Sequence, residues 1–241
     1  MAAPSDAADE EVLPVLERSE LEILGLLPRS SNYTLLARAT AGDDVLVVYK
    51  PRAGEAPLWD FPEGTLCQRE VAAYRLSRAL GFPTVPPTVL RDGPEGPGSV
   101  QLFRPFDPEQ HYFTLAESRP NDFRPVALFD AVANNADRKA GHCLLSSDGA
   151  LFFVDHGVCF HRSPKLRTVI WEFAGQPLDP GLTDALSRLC TDLDASALAG
   201  ELASLLSAAE ITALRRRVER LLSTRTYPVP GSERPYPWPV V

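Results

Sequence analysis

Cysteine is scarce in this chain: Cys67, Cys143, Cys159 and Cys190 are the four in 241 residues, widely spaced and without a CxxC pair. That argues against a disulfide framework or a thiolate zinc site, and the expectation is reduced, packed thiols in a cytoplasmic protein. A basic excess is lacking too. With 32 acidic against 24 basic residues the formal net charge is -8, so no nucleic-acid partner is expected, because such binders need a basic face to meet phosphates. No window has the run of apolar residues that spans a bilayer, so no transmembrane segment is expected. The stretch from Met1 to Glu11 has neither the basic flank nor the apolar run of a signal peptide. Internal repeats are absent as well.

What is present is enough apolar sequence, 44 %, to build a core. Residues 1–18 read as a disordered leader. Strand patterns follow at 20–27, 33–40 and 45–50, separated by short polar turns, which predicts an antiparallel meander. Residues 51–64 are a proline-bearing loop. The apolar spacing of 65–80 predicts a helix stopped by Gly81. Strands are expected at 88–91 and 99–103, with 92–98 as a Gly/Pro turn between them. The second half predicts a helix at 123–134, a hairpin of 143–145 with 151–154, and helices at 182–189, 194–206 and after the capping box Ser207–Glu210. A five-proline tail closes the chain. The changeover from β-rich to α-rich sequence near residue 104 suggests two lobes and a cleft.

Two acids stand out. Asp155 ends the apolar strand Leu151–Val154 and precedes His156 and Gly157. A carboxylate at the end of a buried strand is costly unless it is paired or binds a cation. A metal ligand and a turn-capping acid fit it about equally. Gly157 reads as the residue that lets the chain turn. Asp137 lies in the polar loop Asn134–Arg138. A hairpin returns its ends to one place, so the loop from Asp137 to His142 and the turn at Asp155 are expected to be neighbours. Converging carboxylates repel unless a proton or a cation intervenes. Lys50 closes the apolar run VLVVYK and needs an anionic partner if buried, for which Glu70 is a candidate; a strand-end lysine reaching solvent is the alternative. The turn Arg29–Asn32 offers amides and hydroxyls for phosphates but has no glycine.

The order strand, turn, strand, strand lysine, helix glutamate, loop aspartate, hairpin, strand-end aspartate resembles the protein-kinase-like superfamily. The likeness is to its phosphatidylinositol-kinase-like and HipA-like branch, whose Asp-Arg-x-x-x-Asn loop matches Asp137-Arg138-Lys139-Ala140-Gly141-His142. More narrowly, the stretches SSNYTLLA, VVYKP, REVAAYRLSRALG, NNADRKAGHCLL and RPYPWP are similar to bacterial, specifically actinobacterial, phosphatidylinositol-kinase-like proteins. The resemblance implies an α+β, two-lobed kinase-like fold. Residues 19–104 would be a small β-rich N-lobe with one helix that binds nucleotide, and residues 105–241 a mostly helical C-lobe with the catalytic loop and the proline-rich tail.

By position, the resemblance implies that Lys50 contacts ATP phosphates and pairs with Glu70. Asp137 would orient or accept the proton of the acceptor hydroxyl, and Asp155 would hold Mg²⁺. Ser30, Ser31 and Asn32 would lie over the phosphates, and Gln101, Leu102 and Phe103 would meet adenine. Two residues depart from the pattern. His142 stands where an asparagine ligates metal; imidazole suits Mg²⁺ poorly, which leaves Mn²⁺ as an alternative ion. His156 replaces a phenylalanine.

The activity implied is phosphate transfer from ATP to a hydroxyl of a protein, lipid or small molecule. The alternatives are a pseudokinase or nucleotide-binding regulatory module without turnover, and AMP transfer on the same fold. Arg167 and Trp171, between Phe160 and Pro180, are conspicuous near the acceptor side: Arg167 reads as a phosphate contact or as a salt bridge near Glu172. Arg215, Arg216 and Arg217 read as solvated residues, and the aromatic tail Tyr236-Pro237-Trp238 as packed on its own domain.

Overall fold

The computed structural model describes residues 6–28, 32–40, 44–82, 84–231 and 234–241. The first helix, α1 (Asp6–Arg18), occupies most of the segment whose composition suggested a disordered leader. The reason is its apolar spacing: Leu16 is fully buried, and Val12, Leu13 and Val15 pack beside it on the core of the sheet. Arg91 completes the join by donating to the carbonyls of Leu16 and Ser19 at 3.1 and 2.6 Å, a cation placed where a helix C-terminus favours one.

Strands β1 (Glu20–Leu26), β2 (Leu35–Thr40) and β3 (Val45–Pro51) form the expected antiparallel meander. Helix α2 (Leu66–Leu80) follows, then the hairpin β4 (Thr88–Gly93) and β5 (Gly96–Leu102), giving the sheet order β1-β2-β3-β5-β4. This hairpin is tighter than the sequence suggested, because pairing runs on to Gly93 and Gly96. Side-chain alternation sorts β3. Val47 and Tyr49 face the core with Leu35, Ala37, Val89 and Val100, whereas Lys50 has the opposite parity and leaves that core. Gly81 ends α2 in the left-handed conformation, as its position required.

The C-lobe is helical. The one-turn helix α3 (Tyr112–Leu115) precedes α4 (Arg124–Ala133); the hairpin β6 (Cys143–Leu145) with β7 (Leu151–Phe153) follows, and then α5 (Pro180–Ala195), α6 (Ala197–Leu205) and α7 (Ala208–Thr224). Ser207 and Glu210 cap α7 reciprocally. Leu128, Phe129, Leu186, Leu189, Leu202, Leu214 and Val218 make the main core, which α2 joins through Ala73, Leu76 and Leu80. Helix α2 is thereby bound to both lobes. Its buried Arg69 crosses between them, donating to the Cys159 carbonyl at 2.7 Å and pairing with Glu210 at the start of α7. Arg217 is not a solvated residue: it donates to the Val132 carbonyl at 2.8 Å, and burial lowers it to about 10.

Candidate functional site

The cleft between the lobes is lined by Asn32, Lys50, Glu70, Asp137, Asp155 and Gly157, among others. Lys50 reaches it from the end of β3 and pairs with two carboxylates at once, Glu70 and Asp155, the latter at 3.0 Å. Burial alone would lower the Lys50 ammonium, but Asp155 and Glu70 outweigh it and hold it protonated. The opposite oxygen of Glu70 accepts the backbone N–H of His156 at 2.9 Å. Glu70 therefore ties α2, β3 and the segment after β7 together. Helix α2 is itself set by Glu55, whose carboxylate accepts the N–H groups of Leu66 and Cys67 at 3.0 and 2.8 Å, satisfying donors that have no partner in a helix's first turn.

Asp155 takes the turn on itself. Its backbone is left-handed, φ 61°, a conformation unusual for a residue with a side chain and held only where the surroundings demand it. The expectation that Gly157 makes the turn is thus corrected, since Gly157 is not among the glycines with positive φ. The Lys50 charge holds the Asp155 carboxyl well below the usual carboxylate range. With 41 % of its side chain exposed, solvent screens part of that effect.

The hairpin returns its ends as expected. Val154 N–H donates to the His142 carbonyl at 3.1 Å, and Asp137 and Asp155 line one cleft. Burial pushes Asp137 up to about 6, and the Asp155 charge adds to this; Lys139, 3.3 Å away, and Arg167 oppose it.

His142 differs from its expected place as a metal ligand. Its Nδ1 accepts the Lys139 N–H at 3.3 Å, which puts the ring proton on Nε2, the atom 3.3 Å from Asp155 Oδ2. Burial lowers the ring to about 4, so it is neutral near pH 7. In this arrangement His142 supports Asp155 and presents no lone pair to the cleft.

Behind the cleft lies a network that the sequence reading missed. Asp130, in the apolar helix α4, is fully buried and ion-paired with fully buried Arg138 at 3.0 Å. Arg138 also donates to the Val154 carbonyl at 3.1 Å and to His156 Nε2 at 2.7 Å. The Asn135 side chain donates to Asp130 at 2.9 Å, and its Oδ1 accepts the Asp137 N–H at 3.0 Å. One buried carboxylate thus positions both ends of the site. The available signal was Asp130 itself, a lone acid in the run VALFDAVA, which a core helix tolerates only when the acid is paired.

The remaining candidates divide. Ser30 and Ser31 lie outside the described residues. Asn32 lines the cleft, and its Oδ1 accepts the Ala56 N–H at 2.8 Å. Gln101 donates to Thr88 at 2.8 Å, and the amides of Leu102 and Phe103 are taken by the carbonyls of Pro87 and Leu46, each at 2.9 Å. The side chain of Gln101 and those two amides are therefore already engaged within the N-lobe.

Among the described residues no three or more His, Cys, Asp or Glu side chains are grouped to hold a metal. The pair Asp137 and Asp155 still fits Mg²⁺, which binds through one or two carboxylates plus substrate phosphates. No helix of the described chain is long and apolar enough to cross a membrane.

Comparison with protein-family models gives no match. Among solved structures the chain resembles the Golgi casein kinase, with a TM-score of 0.59 and 18 % identity over 92 % of this chain and 76 % of that one. The same kinase with Mn/ADP bound gives a TM-score of 0.57 at 15 % identity over 92 % of this chain and 76 % of that one. The Helicobacter pylori proinflammatory kinase CtkA gives a TM-score of 0.54 at 13 % identity, covering 88 % of this chain and 94 % of that one. These likenesses establish a kinase-like fold. Phosphatidylinositol 4-kinase gamma 4 of Oryza sativa subsp. japonica is 30 % identical over 56 % of this chain, which spans 28 % of that protein. Protein Rv2133c of Mycobacterium tuberculosis is 40 % identical over 93 % of this chain and 94 % of its own length. The chain belongs to the family of that mycobacterial protein.

Proposed function

We propose that this protein is an ATP-dependent phosphotransferase of the phosphatidylinositol-kinase-like branch, acting on a hydroxyl acceptor. The observation that carries the reading is Lys50, paired at once with Glu70 and Asp155 in a cleft shared with Asp137. Phosphoryl transfer needs positioning and charge neutralisation above all, and this cleft offers a fixed cation, an ionised carboxylate and a second acid of raised pKa. Likeness to a kinase structure with Mn/ADP bound supports the choice of nucleotide and divalent ion; the branch is chosen on the Asp137–His142 loop and the order of the motifs.

In this reading Lys50 contacts the ATP phosphates and Glu70 keeps it in place. Asp155 is the carboxylate that would hold Mg²⁺, which when bound would neutralise phosphate charge. Asp137, at about 6 and so largely ionised near pH 7, takes the hydroxyl proton. The acceptor oxygen bonds to the γ-phosphorus as the bond to the β,γ-bridging oxygen breaks, and ADP leaves with that electron pair.

The His142 arrangement favours a second reading, a nucleotide-binding module without turnover, because the ring is engaged with the Lys139 N–H and Asp155 and so leaves the ion one protein ligand fewer than the resemblance implies. Thermal-shift titration of ATP with Mg²⁺ or Mn²⁺, followed by an ATP-consumption assay, separates the two. Binding with turnover supports the transferase, binding alone supports the module, and no binding overturns both. The mass added to the acceptor distinguishes phosphate from AMP transfer.

A further inference from the structure

The motif RPYPWP has no part in the chemistry described so far, yet the segment that carries it touches the loop of Asp137. Residues 234–241 lie along the C-lobe with Pro237 buried and with Tyr236 and Trp238 exposed, and Val240 packs against the main core. The Val240 carbonyl accepts the Ala140 N–H at 2.8 Å. The Pro235 carbonyl accepts the Thr168 N–H and the Trp171 indole N–H, each at 3.1 Å. The composition suits this role. Proline has no N–H and a fixed φ, so a segment that alternates Pro235, Pro237 and Pro239 offers carbonyls to its neighbours and loses little freedom when it docks.

Each backbone N–H from Asp137 to Ala140 has its own partner. Asp137 donates to Asn135 Oδ1 at 3.0 Å, Arg138 to the Arg167 carbonyl at 3.0 Å, Lys139 to His142 Nδ1 at 3.3 Å, and Ala140 to Val240. The first three partners lie in the loop itself or on the segment after Asp155; the fourth comes from the tail. Ala140 is fully buried and opens the one-turn 3₁₀ helix Ala140–His142, whose first N–H groups have no partner inside the turn. A buried N–H left without a partner is costly. The tail also reaches the loop from its other side. Thr168, bound through Pro235, follows the Arg167 carbonyl that anchors Arg138, and the Val169 N–H returns to the Arg138 carbonyl at 3.1 Å. The segment 234–241 thus grips the Asp137 loop directly at Ala140 and indirectly at Arg138.

We propose that Val240 is a positioning residue of the active site: docking of residues 234–241 sets the course of the loop and with it the aim of Asp137 at the acceptor hydroxyl. This rests on the phosphotransferase reading. The nucleotide side is built separately, since Lys50, Glu70 and Asp155 bond to one another and to the His156 N–H. A general base works only within hydrogen-bond reach of the proton it takes, and a misplacement of about 1 Å costs on the order of 10²-fold in rate. Undocking the tail therefore lowers kcat and leaves the KM for ATP unchanged.

The test uses the full chain carrying Pro237→Asp with Val240→Asp, which sets carboxylates where the tail meets the core and so undocks it, and the free peptide RPYPWPVV as the probe. The undocked variant is expected to bind ADP with Mg²⁺ as wild type does, to lose ATP turnover by roughly tenfold to a hundredfold, and to regain it, to saturation, as the peptide is added. Hydrogen exchange at the Ala140 amide is expected to be slow in wild type, fast in the variant and slow again with peptide. Trp171→Phe in the same background removes one N–H donor, and is expected to raise the peptide concentration for half-recovery by about threefold to tenfold. Unchanged turnover in the undocked variant, a loss that the peptide does not reverse, or a half-recovery that Trp171→Phe leaves alone overturns the proposal. Failure of the variant to bind ADP with Mg²⁺ overturns it too, since the tail is then a prop of the whole fold. Absence of turnover in wild type is instead the failure of the phosphotransferase reading. Exchange at Ala140 needs no activity, and it then decides by itself whether the tail holds the loop.

Discussion

Two sets of opposite charges meet around the same loop and behave differently. In the cleft, Lys50 holds Glu70 and Asp155 with 41 % of the Asp155 side chain exposed. A few residues away Asp130 and Arg138 form a pair with no exposure at all. The buried pair is bonded to Val154, His156 and Asn135 as well as to each other. The cleft acids Asp155 and Asp137 keep 41 % and 31 % of their side chains exposed. One network fixes geometry and the other is fixed by it. An acid with spare lone pairs in a partly dry cleft can meet a cation or a proton, whereas an acid with none can only hold its neighbours.

The comparison predicts opposite responses to removing a carboxylate. Asp137→Asn should lower ATP turnover by ~10²–10⁴, the usual contribution of a general base, while urea unfolding shows stability unchanged or slightly raised. Undiminished turnover would remove Asp137 from the chemistry. Asp130→Ala should do the reverse. It strands the buried Arg138 charge, which typically costs about 3–5 kcal/mol, and it should show first as a fall in the unfolding midpoint. If Asp130→Ala unfolds like wild type, the buried network is not the frame of the site.

Much of this contrast could be read from the chain before any coordinates. The strand with Lys50, the helix with Glu70 and the hairpin joining Asp137 to Asp155 follow from periodicity and turn residues, because alternation and hairpin closure are local rules. The Asp130–Arg138–His156 network was not read: Asp130 in its apolar run signals a buried partner, but which residues meet it depends on three-dimensional packing. Helix α1 was missed because its acidic, small-residue start masked the spacing of Val12, Leu13, Val15 and Leu16. The identity of the turning residue was likewise hidden: a left-handed Asp155 is imposed by its surroundings, and sequence points to the glycine instead.

Acid titration sharpens the comparison further. Asp137 is raised to about 6 in the folded state, above the usual aspartate value of 3.8. The folded chain therefore binds more protons than the unfolded one between those values, and this group alone makes stability rise as pH falls from about 6 to 4. His142 is lowered to about 4 from 6.5, so the unfolded chain binds more protons there and stability falls over nearly the same window. The two oppose each other in wild type. Asp137→Asn removes the compensating group and should lose stability more steeply than wild type between pH 6 and 4 in urea titrations. Parallel slopes would mean that Asp137 is not shielded as the structure has it.

The smallest expected effect belongs to His142→Asn. If His142 only supports Asp155 through its Nε2 proton, an asparagine amide can supply the same donor, and its carbonyl adds an oxygen that suits Mg²⁺ better than imidazole does. Half-saturation by Mg²⁺ in nucleotide-binding titrations should then shift to lower concentration by a few-fold, about 1 kcal/mol or less, with the Mn²⁺ value changing less. A histidine that ligates the ion directly predicts another pattern, because Mn²⁺ accepts imidazole more readily than Mg²⁺ does. Its loss would weaken Mn²⁺ binding more than it improves Mg²⁺ binding. The ratio of the two shifts therefore decides whether His142 belongs with the frame, like Asp130 and Arg138, or with the open side of the cleft, like Asp137 and Asp155.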